Sequence, residues 1–196
     1  MRERRIKDRR VRRTQSLVRE ALAALLHEKP YDDIAVKEIL ERASVGRSTF
    51  YTHFRDKDEL LLSSIHEMLR SARPVGGEAL RSACESLVWF SRPILEHIEQ
   101  HRRTGEGSMG PRGRRAMHEH LQRAITELIE DEVKTGLGHT RHGADQISPE
   151  LLAGWIASTF VLVLNWWVES DSPPPAHDAD SLFRRLIEPS LAGIIR

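Results

Sequence analysis

Cysteine is almost missing from this chain: Cys84 stands alone among 196 residues. A single thiol cannot close an internal disulfide, and it leaves no cysteine cluster for a structural zinc site. The fold therefore has to rest on packing, which suits a reducing cytoplasm. No GxSxG elbow, no HExxH pair and no phosphate-cradling glycine loop occurs, so the common hydrolase and nucleotide signatures are lacking. No short apolar stretch follows the first basic residues, so a secretory signal peptide is not expected. Long uncharged runs are lacking too, apart from one, residues 151–168.

What is present is ordinary soluble material, 39% apolar and 30% charged, enough to build a core. The length fits one domain, or a small head on a larger body. The net charge of +1 conceals a division. Residues 1–57 carry 15 Lys/Arg against 9 Asp/Glu, whereas residues 58–196 carry 15 against 20. A basic head on an acidic body turns one end of the molecule toward a polyanion.

Residues 35–57, AVKEILERASVGRSTFYTHFRDK, organise that head. Val36, Ile39, Leu40 and Ala43 recur at helical spacing. Ser44-Val45-Gly46 interrupts the pattern, and Gly46 is the residue expected to take a positive φ there. Arg47–His53 then concentrates side chains able to meet bases or phosphates. Helix, short turn and helix make a helix-turn-helix, whose second helix enters the DNA major groove. Phe50 and Phe54, four apart, are expected to face the core. Arg47 is the candidate for a guanine edge, because a guanidinium pairs bidentately with O6 and N7. Ser48, Thr49 and Thr52 suit phosphates or base edges, and Lys37 is a further phosphate candidate. Residues 1–13 hold 8 basic and 2 acidic residues. They read as a solvated, partly disordered arm that can order on DNA, with Arg10 and Arg13 as phosphate candidates.

The run from Thr14 to Leu62, and above all RSTFYTHFRDKDELL, resembles the N-terminal DNA-binding domain of the TetR/AcrR family of bacterial regulators. Ala43 and Val45, then Phe50-Tyr51-Thr52-His53-Phe54, then Lys57, Glu59 and Leu60 carry the likeness. One departure is Ala35, where the family usually has Ser or Thr; an Ala there forgoes a cap worth about 1 kcal/mol. The resemblance implies an all-α protein with a three-helix DNA-binding head (residues 1–57) and a helical body for ligand binding and dimerisation (residues 58–196). It implies phosphate contacts from Tyr51, His53 and Lys57, a homodimer on a double-stranded operator, and a small-molecule effector in the body. It implies no cofactor and no enzyme activity.

The rest of the chain reads as helices. Residues 14–28 put Leu17, Val18, Ala21, Leu22, Leu25 and Leu26 on one face, Pro30 ends that helix, and Tyr31-Asp32-Asp33 is expected as a polar connection. Asp58–Leu69 follows, then a break at residues 73–77. Glu78–His101 reads as one long segment that Pro93 kinks or divides. Loops are expected at residues 102–115 and 136–145, around a helix at Met117–Val133. Ser148-Pro149-Glu150 is a strong helix opening for residues 151–168. That run is long enough to span a membrane, but its Gly154, Ser158, Thr159 and Asn165 favour a helix buried on every side. Asp178 or Asp180 is expected to cap a last helix that Pro189 bends or ends. By resemblance, these last two helices form the dimer.

Trp89, Phe90, His97, Met117, Trp155 and Phe160 are candidates to line the effector pocket that the resemblance implies. Ten histidines raise the question of metal, but His97/His101, His118/His120 and His139/His142 each lack an identifiable third ligand, so no metal site is assigned. Cys84 sits on an apolar stripe as a core residue. Two other readings stand beside the regulator, which could repress or activate: a helical module acting through a protein partner, and a metal-dependent helical enzyme.

Overall fold

The computed structural model describes residues 2–73, 83–103, 111–136 and 147–194. The expected break at 73–77, the start of the 78–101 segment, the centre of the 102–115 loop and most of the 136–145 loop lie outside these residues. Among the described residues all regular structure is helical. Two compact units emerge: a head of residues 1–66 with 105–120, and a body of 67–104 with 121–196.

In the head, α1 runs unbroken from Arg2 to Glu28. The basic arm, expected as partly disordered, is thus the beginning of this helix. No Gly or Pro interrupts the chain before Pro30, and Arg, Lys, Glu and Ala dominate it, all good helix formers. Val18, Ala21, Leu22 and Leu25 are buried, whereas Leu17 faces outward. A 3-10 turn, Tyr31–Asp33, follows Pro30. It is more than the polar connection expected, because Tyr31 is buried in it, as is Ile34 just beyond.

Helix α2 spans Val36–Ala43 and buries Ile39 and Ala43. Its first residue follows Ala35, which has no capping oxygen. Glu38 compensates: one carboxylate oxygen accepts the Ala35 N–H at 2.9 Å and the other accepts from Lys29 at 2.5 Å. This is the reciprocal half of a capping box, held by a cation just beyond the end of α1.

The turn corrects one expectation. Ser44, not Gly46, takes the left-handed conformation, with φ 53° and ψ 41°. Val45 N–H then reaches back to Leu40 O at 3.1 Å, the six-to-one bond of a Schellman end. Gly46 has φ −67° and caps α3, Arg47–His53, so its conformation is open to any residue. Helix α4 (Lys57–Ala72) opens on Asp56, whose carboxylate accepts the Glu59 N–H at 2.8 Å. Leu60, Leu61, Ile65 and Leu69 form its buried stripe.

In the body, the expected long segment is two helices, α5 (Ala83–Val88) and α6 (Ser91–Arg103). The division falls at Trp89-Phe90, ahead of Pro93. Pro93 sits in the first turn of α6, where its missing N–H removes no helical bond. Helix α7 runs Pro111–Gly136 and α8 runs Pro149–Glu169. Ser148 caps α8 as expected, accepting the Leu151 N–H at 3.2 Å. Helix α9 covers Ala176–Ile194 and packs on α5, α6 and α8. Pro189 does not end it; the helix continues, with Pro189 on its exposed side.

Three rings form the centre of the body. Phe90 meets Phe160 at 5.2 Å and Phe183 at 6.2 Å, and Phe160 meets Phe183 at 5.3 Å. The Phe160 pairs are edge-to-face, which matches the positive rim of one ring to the negative face of the next. Beside them lies a buried polar group. Asp180, expected as a helix cap, is inside α9. It accepts from Ser91 Oγ at 2.5 Å and from Arg184 Nε at 3.0 Å. Glu99 on α6 takes the capping role, accepting the Ala176 N–H at 3.0 Å. Asp180→Ala removes the shared acceptor and leaves the Ser91 hydroxyl only the Val88 carbonyl and the Arg184 guanidinium only Glu188. It should lower stability by about 2 kcal/mol, read as a lower urea midpoint at unchanged slope; an unchanged midpoint would show the trio to be idle.

Candidate nucleic-acid interface

Helix α3 has only seven residues, too few to persist alone, so its position is set by what it buries. Phe50 is fully buried and Phe54 nearly so, their rings 5.6 Å apart, as expected. Anchoring that side turns Arg47, Ser48, Thr49, Tyr51 and Thr52 outward, and all five are exposed. His53 is half-buried, its ring against Phe54 at 6.4 Å. The Tyr51 ring is 47% exposed, yet it stands edge-on to Phe50 at 5.3 Å, so the phenol is held while remaining accessible. Arg47 lies over the same ring, 5.7 Å from its centre. This cation–π contact restrains a side chain that would otherwise sample many rotamers. Thr52 Oγ1 donates to Ser48 O at 2.9 Å, which leaves its methyl group as the outward feature.

Lys37 flanks this surface from α2. Its side chain is 84% exposed and its ammonium is 3.7 Å from Glu41, an exposed pair that holds it only weakly. Lys37, Glu41, Arg47 and Tyr51 line one shallow groove with the Ser44–Gly46 turn. Arg10 and Arg13 are exposed on α1. Glu41 was missed by sequence reasoning; its i,i+4 spacing from Lys37 is the signal that could have found it.

Lys57, expected at a phosphate, has partners within the head. Its Nζ donates to Tyr31 O at 2.8 Å and Ile34 O at 3.0 Å, and it lies 3.5 Å from Asp32 O. The same ammonium stands 4.3 Å from the centre of the Tyr31 ring. An ammonium has three protons, and these carbonyls engage them. Nothing local in the sequence could show this, because the acceptors lie more than twenty residues away. Tyr31 in turn donates its phenol proton to Asp58 in a short bond. Burial, then that bond and the negative charges of Asp58, Asp56 and Asp32, push the Tyr31 phenol far above its usual range. It therefore acts as a fixed donor.

This arrangement can be compared with known proteins. Residues 18–63 match the family model for bacterial regulatory proteins of the tetR family. The matched segment of the head is similar to the tetR regulatory domain. RolR, solved without ligand, is similar over 88% of this chain and 89% of its own at 19% identity, with a TM-score of 0.55, a likeness of fold. A TetR regulator from Streptococcus agalactiae is similar over 93% of this chain and 97% of its own, at 22% identity and a TM-score of 0.48.

The pocket candidates are divided between the two units. Met117 belongs to the head unit, and the other five to the body. Phe90 and Phe160 are fully buried and occupied with each other, His97 is exposed, and Trp155 is half-buried. Trp89 differs: it is buried, and its indole N–H has no hydrogen-bond partner among the described residues. Asn165 Oδ1 on α8 is likewise buried without one among the described residues. Among the described residues, no three His, Cys, Asp or Glu side chains come together as a metal site would require.

Lys57→Met should lower the melting temperature, at a cost of about 1–3 kcal/mol for the carbonyls it abandons. The salt dependence of DNA binding should keep its slope. A slope reduced by about one, with stability unchanged, would return Lys57 to the phosphate role.

Proposed function

We propose that the chain is a dimeric, ligand-responsive transcriptional regulator, acting in the cytoplasm as a repressor on a pseudo-palindromic operator. Residues 1–57 supply the DNA contacts, and residues 58–196 supply effector binding and dimerisation. The observation that carries the DNA reading is α3: a helix anchored by Phe50 and Phe54 that turns five polar side chains outward. Arg47 reads a guanine, and Thr52 offers its methyl to a thymine. Ser48, Thr49, Tyr51, His53, Lys37, Arg10 and Arg13 contact phosphates or flanking edges. A two-fold dimer presents two such helices to half-sites spaced by the helical repeat.

Dimerisation is supported by α8. Its central stretch has a mean hydropathy of 1.7, and half of it is buried within the chain. Leu151, Leu162 and Trp166 remain exposed on α8, and Leu186 on α9. This is one helix long and apolar enough to cross a membrane among those described, but a second copy covers such a face equally well. The effector reading is supported by Trp89, whose unpaired indole proton suits an acceptor on a small molecule. A ligand that favours a head spacing unsuited to the operator must weaken DNA binding by linkage.

Selection from a random duplex pool tests the DNA reading. The wild-type chain should yield a two-fold-symmetric consensus. Arg47→Ala should relax one position per half-site at about 1–3 kcal/mol. Lys37→Ala should weaken all duplexes alike and lower the salt slope by about one. Sequence-blind binding by the wild type would overturn the proposal. For the dimer, Leu162→Glu with Trp166→Glu should give a folded monomer in sedimentation velocity; a dimer surviving both would point to another interface.

A further inference from the structure

The head unit contains a segment far from the helix-turn-helix in sequence, the start of α7. Three observations place it against the Tyr31–Asp33 turn. The Arg112 N–H, one of the unpaired donors at a helix start, reaches the Asp32 carboxylate at 3.1 Å. Gly113 is buried. A Cβ built on it would stand 2.8 Å from Tyr31 Cβ and 3.2 Å from Cδ1 of the ring. The nearer atom is fixed to the backbone and cannot rotate away, so any side chain at 113 must push the turn or the helix aside.

That turn is also where α4 is tied. Lys57 bonds the Tyr31 and Ile34 carbonyls, and Asp58 takes the Tyr31 phenol. Two residues after Ile34, α2 begins, and α2 leads through Ser44–Gly46 into α3. A shift of the turn therefore moves the first helix of the recognition pair.

We infer that Gly113 is a positioning residue for DNA binding: it lets α7 seat on Tyr31, and this seat sets the attitude of α2 and α3. The inference rests on the DNA-binding reading above and extends it to a residue fifty positions beyond the matched segment. It also makes the DNA-binding head discontinuous in sequence. The Asp32 carboxylate acts with Gly113, holding the end of α7 in register. The chemistry suits this role, since a carboxylate at a helix N-terminus meets both an orphan N–H and the positive end of the dipole.

The test uses the full chain with Gly113→Ala, Asp32→Ala and Asp32→Asn. Binding to the selected operator and to a scrambled duplex would be measured across a salt series, with amide exchange of the DNA-free protein alongside. An idle glycine inside a helix becomes more helix-favouring as alanine, so an uninvolved Gly113 predicts equal or higher melting temperature and unchanged operator affinity. That outcome would overturn the inference. The seat predicts instead about a tenfold loss for the operator at unchanged scrambled-duplex affinity and salt slope, with faster exchange through α2.

Asp32→Ala should follow in the same direction, while Asp32→Asn, which keeps an acceptor, should stay near wild type. These variants decide the matter if Gly113→Ala does not fold. Equal losses on both duplexes would mean general destabilisation and would likewise overturn the positioning role. If the wild type itself shows no preference between duplexes, the DNA reading fails. The exchange through α2 then decides the seat by itself, faster in Gly113→Ala and Asp32→Ala if it holds and unchanged if it does not.

Discussion

The burial of Phe50 and Phe54 is the constraint on which the head depends. Seven residues make fewer than two turns, and a helix that short has no stability to set its own direction. Two aromatic side chains spaced four apart supply it. Once both are inside, the intervening and preceding positions have to face water. The presentation of Arg47, Tyr51 and Thr52 is thus a consequence of core packing. The same rings reach outward as well: Phe50 braces Tyr51, and Tyr51 carries the Arg47 guanidinium. A continuous line of contact joins the head's interior to the Arg47 guanidinium.

Behind that pair, Tyr31 gathers what would otherwise be loose ends. It is one of two tyrosines, buried in a turn that the composition alone marks as polar. Lys57 and Asp58, the first two residues of α4, grip the turn from one side by its carbonyls and its phenol. Arg112 and Gly113 approach it from α7. Backbone carbonyls at a turn need partners when they are buried, and an ammonium serves several at once. The residue that looked made for a phosphate is used to close the head.

The body obeys a different rule. Its centre is aromatic, with Phe90, Phe160 and Phe183 in mutual contact, and its buried charge is answered locally by Ser91 and Arg184. Helix α8 is apolar on the side facing this core and on the side facing away. Leaving Leu162 and Trp166 in water is unfavourable, which is the physical basis of the dimer proposed above.

Local pattern determined a great deal. Helical periodicity located α2 and α4, an uncharged run behind the Ser148-Pro149-Glu150 opening located α8, and the spacing of Phe50 and Phe54 told which side of α3 is inside. These features depend on residues within a turn or two of one another, so the sequence displays them directly. Where the chain ends a helix was less legible: Ser44 accepts the left-handed conformation although Gly46 stands two residues on, because Val45 N–H has to reach Leu40 O. Tertiary structure alone decided the partners of Lys57, Asp180, Glu99 and Gly113. Each meets atoms from twenty to nearly ninety positions away, and at such separations one-dimensional spacing carries no geometric information. The surface proposed for DNA was written locally; what holds that surface was settled only when the distant segments packed.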